Sequence, residues 1–511
     1  MVNRPDSSPG VVARPTQPER AAAPLLSRNG LLIAIALAFA LVWPCLLFDG
    51  PLVFHDTAAY LSGGARALDY ATTLLGRLLE TGAPGDGASA DGTRGGAGNV
   101  SDVGDVRGLR SIPYSLFAFG TAQSPVGVTL LAVAQTALVL MMAFALATRE
   151  TLREQCASRT LVLAVALGGL TTLPWYAAYA MPDILAAAIP LYAVLLIRGL
   201  TDFNLAQKLL LAGIATFAIA GHYGNVPLAA GVFGAAFLVL LMQRRLRLNA
   251  VLLGLGPLLL VIGFNYMAGL AMSGGGNGSS VSSGSGSIAP KRLPVMLARS
   301  IEDGPARWHL EAACADGASY ALCEIFDRIP ENIHSLMWAK DGLKRATPQQ
   351  YARVADEELL VLWRAFQEYP LTQTWALVGN AARQVFKFGV DDLFPARSDD
   401  PSRPDIERAK SSALLDVFDE LTLWTSILAY IALLGAGVYW RAWRNPLVAG
   451  CLFVLLAGFA LNAVIFGGLS APVDRYQSRL VWIIWPVLFV LSREAAAIGG
   501  GASPLLRRRS K

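Results

Sequence analysis

Four short tracts concentrate the side chains able to move protons or hold anions next to apolar sequence. Phe54-His55-Asp56-Thr57-Ala58-Ala59-Tyr60 follows the first long apolar run, and Tyr179-Ala180-Met181-Pro182-Asp183 sits between two others. Gly221-His222-Tyr223-Gly224-Asn225 interrupts a fourth, and Asp474-Arg475-Tyr476-Gln477-Ser478-Arg479 precedes the last. A carboxylate can take a proton from a hydroxyl nucleophile, and guanidinium groups can hold an anionic leaving group. Each residue also has a structural alternative. Asp56 suits the cap of a helix starting near Thr57, and Asp183, directly after Pro182, suits a helix start as well. His222 can simply hydrogen-bond within a bundle, and Arg475 and Arg479 can extend toward a membrane surface. Signatures of soluble enzymes are missing: there is no phosphate loop, no His-Glu-x-x-His, no Cys-x-x-Cys pair and no nucleophile elbow.

The elements that must position these tracts follow from composition. Of 511 residues, 54% are hydrophobic and only 15% charged, with a mean hydropathy of +0.47. A soluble chain carries about a quarter charged residues, so much of this one is solvated by lipid. A net charge of +5 is too balanced to argue for nucleic acid. About ten stretches approach the roughly 20 apolar residues that a spanning helix needs: approximately 31–48, 126–148, 160–177, 182–198, 207–221, 226–242, 250–272, 421–440, 446–468 and 480–497. Basic residues alternate along this series. Arg4, Arg14, Arg20 and Arg28 precede it, and Arg149, Arg153, Arg159, Arg198, Lys208, Arg244, Arg245, Arg247, Arg441 and Arg444 fall in alternate connections. The chain ends Arg507-Arg508-Arg509-Ser510-Lys511, whereas the turns near 175–182 and 221–226 carry no Lys or Arg. By the positive-inside rule this predicts an all-α polytopic membrane protein with both termini cytoplasmic. All four polar tracts then fall on the opposite, outer side, and ionisable groups gathered there form a functional-site hypothesis.

Two long segments are expected outside the cytoplasm. Residues 49–125 begin with an amphipathic stretch through Leu61, Leu68, Leu75 and Leu78/Leu79, read as a surface helix, and carry a Gly-rich insert at 82–108. Residues 273–420 open with a Gly/Ser linker, 273–287, and continue into a small helical extracytoplasmic domain with helices predicted at 348–369 and 371–388. The second has an apolar stripe through Trp375, Val378, Ala382 and Val385. Residues 1–30 and 498–511 are expected as cytoplasmic tails. Cys314 and Cys323, nine apart in that outer segment, suit a disulfide in an oxidising compartment, the alternative being two unpaired thiols.

With these residues in view, the chain resembles the GT-C superfamily of membrane glycosyltransferases. Asp56, with Tyr60 four residues on, looks like the acidic position that family places after its first span. Met181-Pro182-Asp183 looks like its second acidic site, His222 stands where some members place a metal ligand, and Asp474-Arg475-Tyr476 looks like a late Arg-Tyr element. No Asp-x-Asp pair stands in the first loop, and residues 288–420 match no part of that pattern. The resemblance implies transfer of a sugar from a polyprenyl-phosphate carrier to a glycan, lipid or protein acceptor. Asp56 would be the base and Asp183 would orient the acceptor or assist a divalent metal ion. His55, Tyr60, Arg475, Tyr476 and Arg479 would bind substrate and phosphate, and His222 would bind metal or phosphate. Ala-, Gly- and Arg-rich composition with short loops predicts a bacterial inner membrane and a periplasmic active face. Two other classes use the same residues: a transporter or flippase with a polar substrate path, and an assembly protein with Trp308, Trp338, Trp363 and Trp375 as partner anchors.

Overall fold

The computed structural model describes residues 28–48, 50–80, 110–148, 164–201, 203–273, 293–390, 393 and 413–499. Residues 1–27 and 500–511, the insert at 82–108, the linker from residue 274 and Cys156 lie outside these residues. Those described are overwhelmingly helical, and among them the sole β contact is an isolated parallel bridge between Leu52 and Tyr179. Among the described residues, five helices are long and apolar enough to cross a membrane: Val128–Leu146, Asn225–Met242, Leu248–Ala268, Leu415–Tyr439 and Pro446–Gly468.

The other five expected spans are shorter or broken, for local reasons. Arg28–Leu41 gives way to a 3-10 turn, Trp43–Leu46, at Pro44. Helical residues 164–170 stop at Thr171 and Thr172, and a short helix Leu173–Ala178 restarts with Pro174 in its first turn. Proline suits that position because its missing N–H has no partner there in any case. Pro182–Ala187 forms a 3-10 turn that leads into Ala188–Arg198. Leu205–Gly221 is apolar but covers 17 residues. The chain breaks between it and Asn225–Met242, at the polar tract. The final stretch divides into Asp474–Val481 and Ile484–Gly499.

Burial explains why some of these pieces look like spans. Every residue from 171 to 198 is buried, so this apolar sequence is solvated by neighbouring helices rather than by lipid. Arg198, expected in a loop, is buried too: Nη2 pairs with Glu494 at 2.9 Å and Nη1 donates to the Leu146 carbonyl at 3.2 Å. The opposite pattern marks the flanks. Leu252, Leu259, Leu260 and Met267 on one long helix, and Leu428, Ile431, Leu434 and Val438 on another, are exposed, as lipid-facing side chains are.

In the first loop, helix His55–Glu80 closes on helix Ile112–Ala122 because glycine is at the crossing. A Cβ on Gly64 would lie 2.2 Å from the Ser115 carbonyl oxygen. Ser111 caps the second helix, accepting from the Tyr114 N–H at 3.3 Å.

The outer segment has a core of its own, built from Leu297, Ile301, Leu310, Leu322, Leu336, Val354 and Val361. Thr347 and Gln350 form a capping box that starts Pro348–Glu368. Pro370 ends that helix and opens Pro370–Val385. Cys314 and Cys323 are joined by a disulfide, their Cα atoms 5.4 Å apart. Closing this short loop restricts the unfolded chain, so replacing both cysteines with serine is expected to destabilise the outer domain by about 2–3 kcal/mol. Thermal unfolding of the purified full-length variant would measure the shift, and an unchanged midpoint would refute it.

Candidate functional site

The backbone first stitches the two earlier tracts together. The Leu52 N–H donates to the Ala178 carbonyl and the Ala180 N–H to the Leu52 carbonyl, both at 2.9 Å. Thr57 Oγ1 accepts from the Phe54 N–H and donates to the Ala180 carbonyl, each at 3.1 Å. Thr57 therefore serves the start of the helix, and the Asp56 carboxylate is turned elsewhere, onto Arg110. Asp183 does not cap its turn either, which begins at Met181 without a side-chain cap.

The third and fourth tracts come to the same place. Asp56, Tyr60, Met181, Asp183, His222, Tyr223, Arg475 and Tyr476 all line one cavity of about 480 Å³. Residues separated by more than 400 positions thus share a volume adequate for a small polar ligand. Its other walls come from Phe54 and Arg110, from Phe466 at the end of a spanning helix, and from Leu293, Met296, Ile333, Met337 and Trp338 of the outer domain. His55 opens the first-loop helix, and its side chain is outside the described residues.

Arg475 lies over two rings, its guanidinium 4.8 Å from the Phe54 centroid and 5.0 Å from that of Tyr476, and Nη2 donates to the Tyr476 hydroxyl at 3.2 Å. The helix bearing it is held from several sides. Tyr176 Oη donates to the Arg475 carbonyl at 2.7 Å, Lys387 pairs with Asp474 at 3.0 Å, and Gln384 brackets Val473, donating at 2.9 Å and accepting at 3.0 Å.

Arg479 departs from expectation. It does not line the cavity, and its side chain is 1% exposed. Its guanidinium stacks 4.0 Å from the Phe466 centroid, Nη1 donates to Asp183 Oδ1 at 3.2 Å, and Nη2 donates to Asn462 Oδ1 at 2.9 Å. Asn462 in turn donates to the Tyr476 carbonyl at 2.7 Å and to Gln477 Oε1 at 2.9 Å. The helical period explains the split: four residues after Arg475, Arg479 sits one turn deeper along the helix. It thus works as an internal tie between Asp183, Asn462 and Phe466, away from the cavity that Arg475 lines.

His222 Nδ1 accepts from the Gly224 N–H at 3.0 Å, which places the neutral ring's proton on Nε2. The ring leans on Phe466, with centroids 5.5 Å apart. Loss of solvent, reinforced by the Arg479 charge, pushes the His222 pKa down from 6.5 to about 3. The sign of the linkage is fixed. An unfolded chain takes up this proton below about 6.5 while the folded one waits until about 3, so the group removes stability as pH falls through that window. His222→Gln is expected to flatten the acid limb of a stability-versus-pH curve; an identical limb would refute this.

The residues expected near a metal have partners within the protein. Asp56 is neutralised by Arg110 and Asp183 by Arg479, and His222 uses one ring nitrogen on the backbone. Among the described residues no group of three or more His, Cys, Asp or Glu is placed to hold a metal ion. The positive charge at the cavity comes from guanidinium groups, those of Arg110 and Arg475.

Arg110 is the charged wall residue that the sequence reading missed. It borders a Gly-rich insert and belongs to none of the four tracts; its one signal is its place immediately before the Ser111 cap. Phe466 and the aliphatic outer-domain wall gave no signal, since apolar residues are anonymous in sequence, and Trp338 was expected as a partner anchor. No protein-family model, curated protein or solved structure matches the chain.

Proposed function

We propose that the protein is an integral membrane glycosyltransferase that moves a sugar from a polyprenyl-phosphate carrier to an envelope glycan, lipid or protein. Its seat would be a bacterial inner membrane, with ten membrane-embedded segments and the cavity on the outer face. The observation that carries this reading is the meeting of Asp56, Arg110 and Arg475 in one cavity built from distant tracts. In the proposed step the acceptor hydroxyl oxygen attacks the anomeric carbon, the bond from that carbon to the phosphate oxygen breaks, and the hydroxyl proton passes to Asp56. Arg475 and Arg110 hold the departing phosphate, whose charge grows as the bond breaks. Tyr60, Tyr476 and His222 shape the sugar and phosphate sites, and Asp183 holds the scaffold through Arg479. The test is to incubate purified protein with labelled polyprenyl-phosphate sugars and crude envelope acceptors. Labelled product that depends on Asp56 supports the reading, and its absence with every donor offered counts against it.

One observation favours a second reading, transport of a lipid-linked component. The buried Asp183–Arg479 pair joins two discontinuous helical segments, a device transporters use around substrate sites. Movement of intact donor across sealed vesicles, without cleavage, would select that reading.

A further inference from the structure

Two consecutive helices of the outer segment expose apolar stripes that a protein surrounded by water would bury. On Pro370–Val385 two polar side chains face inward: Asn380 and Gln384 are fully buried, Asn380 donating to Asp303 at 2.9 Å and Gln384 bracketing Val473. The outward side carries an apolar stripe, Leu371 75%, Trp375 72% and Val378 49% exposed, flanked by exposed Thr372, Thr374 and Arg383. The preceding helix, Pro348–Glu368, buries Tyr351, Val354 and Val361 in the domain core and still exposes Leu359, Leu360 and Trp363, and Trp363 stacks on Phe366 at 5.8 Å. The spacing of three and four residues keeps these side chains on one stripe.

The level of this stripe is fixed by what lies behind it. Pro370–Val385 packs directly on the π-helical end, Ala463–Gly468, of the membrane-spanning helix that starts at Pro446. A Cβ on Gly467 would lie 2.3 Å from Gln384 Cβ, and one on Gly468 2.7 Å from Leu377 Cδ1. The two glycines thus let the helix sit against the place where a span ends, which is the boundary between hydrocarbon and headgroups. An exposed stripe held at that depth and rich in Trp matches an interfacial lipid surface.

We infer that the paired helices Pro348–Glu368 and Pro370–Val385 are a lipid-docking surface, seated by their outward apolar stripe in the membrane leaflet nearest the cavity. The inference is independent of the chemistry proposed for the cavity. Continuity with the end of a spanning helix favours lipid over a protein partner, because the stripe meets the bilayer boundary without any further component. Gln384 and Lys387 connect this surface to Val473 and Asp474, at the start of the helix that carries Arg475.

The experiment uses the full chain with Cys45, Cys156 and Cys451 replaced by alanine, reconstituted in nanodiscs of phosphatidylethanolamine and phosphatidylglycerol. Nitroxide labels at Leu371→Cys, Trp375→Cys and Val378→Cys are compared with one at Arg328→Cys, a solvent-exposed position. The expected result is severalfold higher collision with oxygen relative to a water-soluble nickel chelate at the three stripe positions. A ratio equal to that at Arg328 overturns the proposal, as does protection from both reagents, which would mean a protein or second copy covers the stripe. Without labels, the unmodified chain in brominated-lipid vesicles should lose quenchable emission when Trp363→Phe and Trp375→Phe are combined. Unchanged quenching would also overturn it.

Discussion

Asp56→Asn is expected to abolish sugar transfer while leaving the protein folded in the membrane. Asparagine keeps the shape of the side chain and an acceptor oxygen but cannot take up the hydroxyl proton, and loss of a general base costs about 10²–10⁴ in rate. The stability cost should be small. The Asp56 and Arg110 side chains are part-buried, 18% and 20% exposed, and asparagine still offers Arg110 an acceptor oxygen. The measurement is turnover of a labelled lipid-linked sugar per unit of monodisperse protein, with Asp56→Glu as the variant that retains a carboxylate. Full turnover by Asp56→Asn would remove the base assignment while leaving the cavity intact. Arg110→Ala should lose rate as well, because it frees the carboxylate but removes part of the phosphate site.

The second large effect is on stability. Arg479→Met removes one partner of an ion pair whose side chains are 1% and 7% exposed. The Asp183 charge is then buried without its counterion, and breaking such a pair costs about 3–5 kcal/mol. Asn462 loses a donor at the same time, which loosens its hold on the Tyr476 carbonyl and on Gln477. The combined variant Asp183→Asn with Arg479→Met should recover part of the loss, since no isolated charge is left behind. Thermal unfolding midpoints of the detergent-purified proteins would show this. If Arg479→Met instead unfolds with the wild type and loses only turnover, Arg479 is a substrate ligand after all, and the internal-tie reading falls.

The sequence by itself determined that the chain is helical and made for a membrane, because lipid demands apolar side chains and internally satisfied backbone wherever it is met. It also located the break at Gly221–Asn225 and the two outer helices to within a few residues, through polar interruption and proline. The four polar tracts stood out because ionisable residues are rare in apolar sequence. What sequence could not decide is which environment solvates an apolar segment. Residues 171–198 and 248–268 read alike, yet the first is wholly buried in protein and the second exposes much of its surface. Hydropathy measures only distance from water, and protein and lipid satisfy it equally. Partner choice among charges was equally out of reach. Asp183 with Arg479 and Asp56 with Arg110 are separated by 296 and 54 positions. Only the packing of broken helices brings each carboxylate to its own guanidinium, making one arginine a structural tie and leaving another at the cavity.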